Sequence, residues 1–207
     1  MDKGSLVDYL HLEDSGGKGS RARPLLEPPI LAAIAYQMLW GLSFLHFENL
    51  LHRDIKPANV LVSSAGCVKL SDFGISSQRD SLHDMNSTVI GTQRYMSPER
   101  LRGKSYGSPS DIWSFGLVLL ECTLGESPFR DVSSVFDLVI TIEEVDLDAL
   151  IPKHSARNDF REVILSCLQM IPEMRVPAEV LILSPTFAAE GVHCVNDAVS
   201  ILKAREL

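Results

Sequence analysis

Two short segments of the sequence place acidic, basic and amide side chains at close, fixed spacing. His52 begins the run H-R-D-I-K-P-A-N, and Asp72 begins the run D-F-G. Residue types of this kind suit the transfer of a phosphoryl group to a hydroxyl, which requires a proton acceptor, cations and oxygen ligands for Mg²⁺. The two segments are therefore the candidate active site.

Four side chains in these segments match the requirements of that reaction. The Asp54 carboxylate can orient a hydroxyl and accept its proton, and the Lys56 ammonium can contact the transferred phosphate. Asn59 and Asp72 offer oxygen atoms, which hard cations such as Mg²⁺ prefer as ligands. A short hairpin between Asn59 and Asp72 would place these two ligands side by side.

The elements around these segments are predicted to be mainly helical, with one small β-hairpin. Strands at Val60–Val62 and Val68–Leu70 flank a turn over residues 63–66, whose composition suits a hairpin. Residues 13–27, rich in glycine and charge, are predicted to form a flexible insert. Apolar residues at three- and four-residue spacing predict helices over residues 5–12, 30–45, 111–124, 133–141, 158–169, 177–183 and 196–204.

Several residues in these helices carry more specific predictions. Asp111 lies near a predicted helix N-terminus, where a carboxylate can accept hydrogen bonds from free backbone N–H groups. Asn196 is a predicted N-cap, and both tryptophans, Trp40 and Trp113, are expected in the core. The histidines, His46 among them, are given no catalytic role because none lies beside a candidate nucleophile.

Composition and charge exclude several classes of function. A formal net charge of −8 with no basic run argues against a nucleic-acid-binding protein. No apolar run approaches the roughly 18–20 residues that cross a bilayer, so no membrane span is expected. The four cysteines are widely spaced, without a C-x-x-C pair, which favours a reducing compartment. A cytoplasmic location is expected.

The two chemical segments resemble the catalytic core of the protein kinases. H-R-D-x-K-P-x-N followed by D-F-G is similar to that family's catalytic loop and metal-binding motif. The resemblance implies a kinase-like C-terminal lobe, with ATP and Mg²⁺ as cofactors. It also implies that Asp54 is the base and Lys56 the phosphate contact, that Asn59 and Asp72 bind the metal, and that Lys56, Asn59 and Asp72 contact ATP.

Further segments of the chain resemble structural parts of the same lobe. Ser97-Pro98-Glu99 stands where the family has A-P-E, and Arg175 matches the arginine that pairs with this glutamate. Asp111 matches the family aspartate that holds the backbone of the catalytic loop. His52 resembles the histidine that acts as a scaffold residue in that loop. These four positions, His52, Glu99, Asp111 and Arg175, are given structural roles.

A narrower resemblance is to the mitogen-activated protein kinase kinases. Residues 1–6, M-D-K-G-S-L, and residues 91–101, G-T-Q-R-Y-M-S-P-E-R-L, are similar to segments of that family. This implies a partial kinase domain over residues 1–187, with the insert at about 13–27, and a C-terminal extension with a short helix over 188–207. Another Ste-like Ser/Thr kinase is the alternative. The implied partners are a MAP kinase-like substrate and an upstream activating kinase.

The region between D-F-G and S-P-E is the candidate regulatory segment. By resemblance, Arg53 would receive a phosphate from this segment, and Thr88 stands at the family's second regulatory site. The first site falls on Asp84 with the animal-type spacing, or on Ser81 and Ser87 with the plant-type spacing. Thr92 is expected to contact Asp54 rather than to receive phosphate.

Only 51 residues precede His52, and they contain no G-x-G-x-x-G and no V-A-x-K. The family's N-terminal β-lobe is therefore expected to be missing from the chain. One interpretation is a fragment of an active dual-specificity kinase; the other is a catalytically dead short form that binds substrates or activators as a decoy. In both, the chain alone is expected to be inactive, with apolar faces of the first helix and the hairpin open to solvent.

Overall fold

The computed structural model describes residues 1–10, 26–72, 91–151 and 160–205. The predicted insert, the D-F-G residues Phe73 and Gly74, and the predicted regulatory residues Ser81, Ser87 and Thr88 lie outside these ranges, apart from residues 26 and 27 of the insert.

Within the described residues, the fold is helical around one two-stranded antiparallel sheet. The strands are β1 (Val60–Val62) and β2 (Val68–Leu70), with Leu61 paired opposite Lys69. Short 3₁₀ turns lie at Pro57–Asn59 and Pro172–Met174. The helices are α1 (Leu6–Leu10), α2 (Pro28–Phe47), α3 (Pro98–Leu101), α4 (Ser108–Leu124), α5 (Val135–Glu144), α6 (Leu147–Leu150), α7 (Arg161–Cys167), α8 (Ala178–Leu181), α9 (Pro185–Ala189) and α10 (Val195–Ala204).

The two longest helices, α2 and α4, form the centre of the core. Each has proline at its first turn, where the missing backbone N–H costs no intrahelical hydrogen bond. Helix α4 ends at Gly125, whose φ of 83° is the left-handed conformation that terminates many helices. All but three residues of α4 are buried, because α2, α7 and the turn at Pro172–Met174 surround it.

Helix α2 has 20 residues and is long and apolar enough to cross a membrane by length and composition. The expectation that no apolar run reaches this length was therefore wrong. In this structure 67% of its most apolar window is buried, against α4, α8, α9, α10 and β2. A buried core helix passes the same test of length and composition, so the finding is weak evidence for a span.

The β-hairpin is held against α2 and α10 by specific contacts. The Gln37 side chain on α2 donates to the Gly66 carbonyl at 3.1 Å and accepts from the Val68 backbone N–H at 2.9 Å. Gly66 adopts φ +79° in the turn, and a Cβ there would lie 2.3 Å from the Val199 carbonyl oxygen of α10. The C-terminal helix is thus packed directly behind the hairpin.

Helix bounds and caps differ from several predictions. Helix α10 is capped by Cys194 rather than Asn196, which lies inside the first turn. Helices α3, α6 and α9, of four, four and five residues, had no periodic signal long enough to predict them. Helix α5 extends to Glu144, three residues beyond the predicted end.

Two predictions about exposure were also wrong. Trp113 is fully buried as expected, but Trp40 is 58% exposed and lies on one face of α2 with exposed Phe44 and Phe47. The apolar faces of the first helix and the hairpin are largely covered, because Leu6 and Val60 are completely buried, although Leu70 is only partly buried. Helix α1 covers the hairpin, with Lys3 and Gly4 hydrogen-bonded to the backbone of Val62.

The close approach of Gly66 to α10 can be tested with a matched pair of substitutions. Gly66 and Gly191 both have φ near +80°, but no atom lies within 4 Å of a Cβ at Gly191. Gly191→Ala should lower the free energy of unfolding by about 1–2 kcal/mol, the cost of a left-handed alanine. Gly66→Ala should cost at least about 1 kcal/mol more, because its Cβ collides with backbone. Equal urea midpoints for the two variants would contradict this packing.

Candidate active site

The segment after α2 carries the candidate catalytic residues and is held by the carboxylate of Asp111. The backbone N–H groups of His52 and Arg53 donate to the two Asp111 oxygens, each at 2.8 Å. Arg53 has φ of +72°, a conformation that non-glycine residues rarely adopt. The buried carboxylate therefore stabilises a backbone shape that the chain would not otherwise favour.

Asp111 does not cap its own helix as the sequence suggested from its position near the N-terminus. The cap of α4 is Gly107, and the carboxylate accepts hydrogen bonds from the catalytic loop, as the resemblance implied. A third contact joins the Oδ2 atom of Asp111 to Nε2 of His46 at 3.1 Å. His46 was given no catalytic role from sequence, yet it is a supporting residue of the loop.

His52 is completely buried at the base of this loop. Its Nδ1 atom accepts from the Asp54 backbone N–H at 3.4 Å. Burial lowers the pKa of His52 below its usual value, although the charges of Asp111 and Asp54 oppose the shift. A neutral imidazole fits the structural role given to this residue.

The candidate base and the candidate phosphate contact lie side by side. Lys56 Nζ is 2.8 Å from Asp54 Oδ2 and donates to Thr92 Oγ1 at 3.0 Å. Thr92 was expected to contact Asp54 directly; Lys56 lies between them instead. The ammonium therefore links the catalytic loop to the segment that precedes α3, and the base has a cation beside it.

Asn59 lies on the 3₁₀ turn after Lys56 and is buried. Its Nδ2 group donates to the Asp54 carbonyl at 2.8 Å and to Asp54 Oδ2 at 2.9 Å. The Asn59 backbone carbonyl accepts from the Ser71 backbone N–H at 2.9 Å, which places Asp72 next in the chain. The hairpin thus returns the exposed Asp72 to the neighbourhood of Asn59, as predicted.

The side-chain oxygens of Asn59 and Asp72 are of the type that binds a magnesium ion. Asn59 donates hydrogen bonds to Asp54 through Nδ2, so its Oδ1 atom is the oxygen available to a metal ion. Asp72 offers a carboxylate. Hard cations prefer such oxygen ligands. Among the described residues there is no group of three or more His, Cys, Asp or Glu side chains that could hold a metal ion. Asn59 and Asp72 would therefore need further ligands from elsewhere.

A buried ion pair fixes the segment that follows Thr92. The Arg175 guanidinium binds both Glu99 oxygens, at 2.7 and 2.8 Å, and lies 5.0 Å from the centre of the Trp113 ring. Burial alone would raise the pKa of Glu99, but hydrogen bonds from Arg175, the backbone and Ser97 lower it. Arg100 donates to the Arg53 carbonyl, so α3 also contacts the catalytic loop.

Tyr95 joins the same segment to α4. Its hydroxyl donates to Glu121 Oε2 at 2.6 Å, and its carbonyl accepts from the Ser114 hydroxyl at 2.7 Å. Burial and the nearby Glu121 charge raise the pKa of Tyr95, so the hydroxyl stays protonated and remains a donor. One hydrogen-bonded unit therefore includes Asp54, Lys56 and the segment from Thr92 to Glu99, and helix α4 holds this unit in place.

The model of the protein kinase domain matches residues 1–187 of this chain. The chain belongs to the protein kinase family. Its mainly helical fold with a two-stranded sheet is consistent with the C-terminal lobe of a kinase. The match includes every residue of the candidate site, and α10, which packs against α2, lies beyond it.

Among curated kinases, the similar relatives include mitogen-activated protein kinase kinases of Arabidopsis thaliana. Mitogen-activated protein kinase kinase 2 is 39% identical over 192 residues, which is 89% of this chain and 50% of the relative. Mitogen-activated protein kinase kinase 3 is 39% identical over 186 residues, 89% of this chain and 34% of the relative. The chain is therefore a kinase most like a mitogen-activated protein kinase kinase, and it spans half or less of the length of these relatives.

A relative that is named as a serine/threonine-protein kinase is less similar. Serine/threonine-protein kinase sid1 of Schizosaccharomyces pombe is 32% identical over 197 residues, which is 95% of this chain and 41% of the relative.

The structure brings Asp54, Lys56 and Asn59 together, but several supporting residues had no signal in the sequence. His46, Arg100 and Tyr95 act through contacts with residues 26 to 65 positions away in the chain. The phosphate-receiving role of Arg53 stays a prediction, because its predicted partners Ser81, Ser87 and Thr88 lie outside the described residues. The catalytic and metal-binding roles of Asp54, Lys56, Asn59 and Asp72 also stay predictions.

The dependence of the catalytic loop on Asp111 can be measured directly. Asp111→Asn leaves one acceptor oxygen for two backbone N–H groups, so one of them faces an NH₂ group. We expect about 1–3 kcal/mol of destabilisation and faster hydrogen exchange at the amides of His52 and Arg53. Asp137→Asn, an exposed aspartate at the start of α5, is the control and should cost under about 1 kcal/mol. Unchanged exchange at both amides would contradict the role of Asp111.

The Glu99–Arg175 pair can be compared with an exposed pair by the same substitution. Glu99→Gln leaves the buried Arg175 charge without a carboxylate and should cost about 3–5 kcal/mol. Glu143→Gln breaks the exposed pair with Arg102 and should cost at most about 1 kcal/mol.

Because the pKa of Glu99 is lowered in the fold, its contribution is present above pH about 4.5 and is lost as pH falls. The free energies of unfolding of the two variants, measured from pH 3 to 7, should become more similar as the pH falls. A difference between them that does not change with pH would be inconsistent with the Glu99–Arg175 pair.

Proposed function

We propose that this chain forms the substrate-binding and catalytic-loop part of a Ser/Thr or dual-specificity protein kinase. The contact that carries the proposal is Lys56 Nζ, which lies 2.8 Å from the Asp54 carboxylate and 3.0 Å from the Thr92 hydroxyl. This contact joins the candidate base to the segment beyond it in the chain. A substrate hydroxyl beside Asp54 would therefore meet a proton acceptor and a cation together.

Asp54 would accept the proton of the substrate hydroxyl through the oxygen that already contacts Lys56. Asn59 Nδ2 donates one hydrogen bond to the Asp54 carboxylate and one to the Asp54 backbone carbonyl, which orients the base. Lys56 would contact the phosphate of ATP as it is transferred. Mg²⁺, when bound by Asn59 and Asp72, would neutralise charge on the phosphates.

We further propose the activation loop of a MAP kinase as the substrate and a separate upstream kinase as the activator. The similarity to mitogen-activated protein kinase kinases of Arabidopsis thaliana supports this proposal. The location proposed is cytoplasmic, which agrees with four free cysteines, two of them completely or almost completely buried. Another Ste-like Ser/Thr kinase is a second candidate, and the similarity to a serine/threonine-protein kinase of Schizosaccharomyces pombe supports the Ser/Thr part of it.

The 207-residue polypeptide alone is proposed to be inactive, because the 51 residues before His52 contain no G-x-G-x-x-G and no V-A-x-K to contact the phosphates of ATP. The alternative function is a binding or decoy module that docks substrates or activators. The contacts that orient Asp54 favour the catalytic function, because a decoy has no chemical need for an oriented base.

A fusion experiment tests the catalytic proposal. Residues 1–207 would be joined to the preceding kinase segment of Arabidopsis mitogen-activated protein kinase kinase 2, with acidic substitutions at Ser87 and Thr88. We expect the fusion to transfer phosphate to a kinase-dead MAP kinase, and Asp54→Asn to reduce the rate at least about 100-fold. The unfused chain should show no transfer that depends on Asp54. A folded, ATP-binding fusion without transfer would refute the catalytic proposal and favour the decoy.

A further inference from the structure

The arginines of the described residues differ in whether they have an acidic partner. Five of the eight pair with carboxylates; these are Arg102, Arg130, Arg161, Arg175 and Arg205. Arg100 donates to a backbone carbonyl and stacks on Tyr106. Arg53 and Arg94 have no carboxylate within 4.0 Å among the described residues. In both, the Nε atom is buried and has no hydrogen-bond partner.

Arg94 is the one of these two for which the kinase resemblance supplies no role. Its Nη2 group donates to the Val132 carbonyl at 3.0 Å, which fixes the direction of the side chain toward the connection between α4 and α5. Asp131, the acidic residue next to Val132, does not compensate this charge, because it lies 3.5 Å from Arg130 instead. Arg94 is half-buried as a residue, and the contact of Nη2 with Val132 fixes the position of its guanidinium.

The backbone of Arg94 lies close to the candidate catalytic site. Thr92, two residues earlier, contacts Lys56, and Lys56 contacts Asp54. Two consecutive Cα–Cα steps span at most roughly 7.6 Å, so the Arg94 backbone is close to Thr92. An extended peptide advances roughly 3.3 Å per residue. A substrate whose hydroxyl faces Asp54 would therefore pass Arg94 within about four residues of that hydroxyl.

We propose that Arg94 binds an acidic side chain of the protein substrate and so selects substrates with Asp or Glu near the phosphorylated hydroxyl. A carboxylate would receive charge-assisted hydrogen bonds from the Nη groups of the guanidinium. It would also neutralise the charge of Arg94, which has no carboxylate partner among the described residues. The proposal rests on the proposed kinase function and adds the substrate chemistry that this site recognises.

Peptide binding to residues 1–207 tests the proposal without requiring phosphate transfer. A set of alanine-rich peptides would carry one serine and one glutamate at each position from four residues before to four residues after it. A second set would carry glutamine in place of glutamate. We expect glutamate at one or two neighbouring positions to lower the dissociation constant, measured by fluorescence anisotropy, about tenfold at low salt. Equal affinities for all glutamate and glutamine peptides would overturn the proposal.

Substitutions at Arg94 assign the preference to this side chain. Arg94→Gln should abolish the difference between glutamate and glutamine peptides, and Arg94→Glu should favour a lysine at the same peptide position. Arg130→Gln is the matched control, because it removes the same charge nearby from an arginine that already has acidic partners. A glutamate preference that survives Arg94→Glu would overturn the assignment. Thermal unfolding of each variant ensures that only folded proteins are compared.

Two further results show which anion binds at Arg94 and which of the two proposals fails. Phosphoserine peptides would be measured beside glutamate peptides, and binding of phosphoserine alone would overturn a carboxylate as the ligand. If the fusion transfers phosphate but no acidic preference is found, the inference about Arg94 fails and the proposed function stands. If the preference is found without any transfer, the site binds acidic segments and the catalytic function fails.

Discussion

The Asp111 carboxylate is the contact on which the geometry of the candidate site depends. It is buried near the start of the central helix α4 and accepts the backbone N–H groups of His52 and Arg53. Arg53 adopts a left-handed conformation there, which has a free-energy cost for a residue with a Cβ. Since Asp54 follows directly, the direction of the candidate base is set by a side chain about sixty positions away.

Helix α4 acts as the common support for both sides of the site. Asp111 holds the catalytic loop, while Ser114, Glu121 and the ring of Trp113 hold Tyr95 and Arg175. The loop and the segment from Thr92 to Glu99 are therefore fixed to one rigid element rather than to each other alone. Lys56 then needs to bridge only a short gap between two surfaces whose positions are already determined.

Local patterns predicted the parts of the structure that depend on neighbouring residues. The hairpin strands at Val60–Val62 and Val68–Leu70 and the long apolar helix α2 follow from periodicity and turn composition. Short helices such as α3 have too few residues for a periodic signal. The exposure of Trp40 and the contact of His46 with Asp111 depend on tertiary packing, which no local pattern encodes. For Asp111, family resemblance predicted the partner correctly, whereas its position near a helix N-terminus suggested the wrong one.

The packing of α10 behind Gly66 affects the order in which the site can be completed during synthesis. Val199 lies against the hairpin turn, and Gln37 donates a hydrogen bond to the Gly66 carbonyl of the same turn. The ribosome adds roughly 5–20 residues per second, so α10 emerges about 7–27 seconds after the hairpin. During that interval the strands that lead to Asn59 and Asp72 have no cover on one side. A chaperone that protects nascent apolar surface would have this interval in which to act on the hairpin.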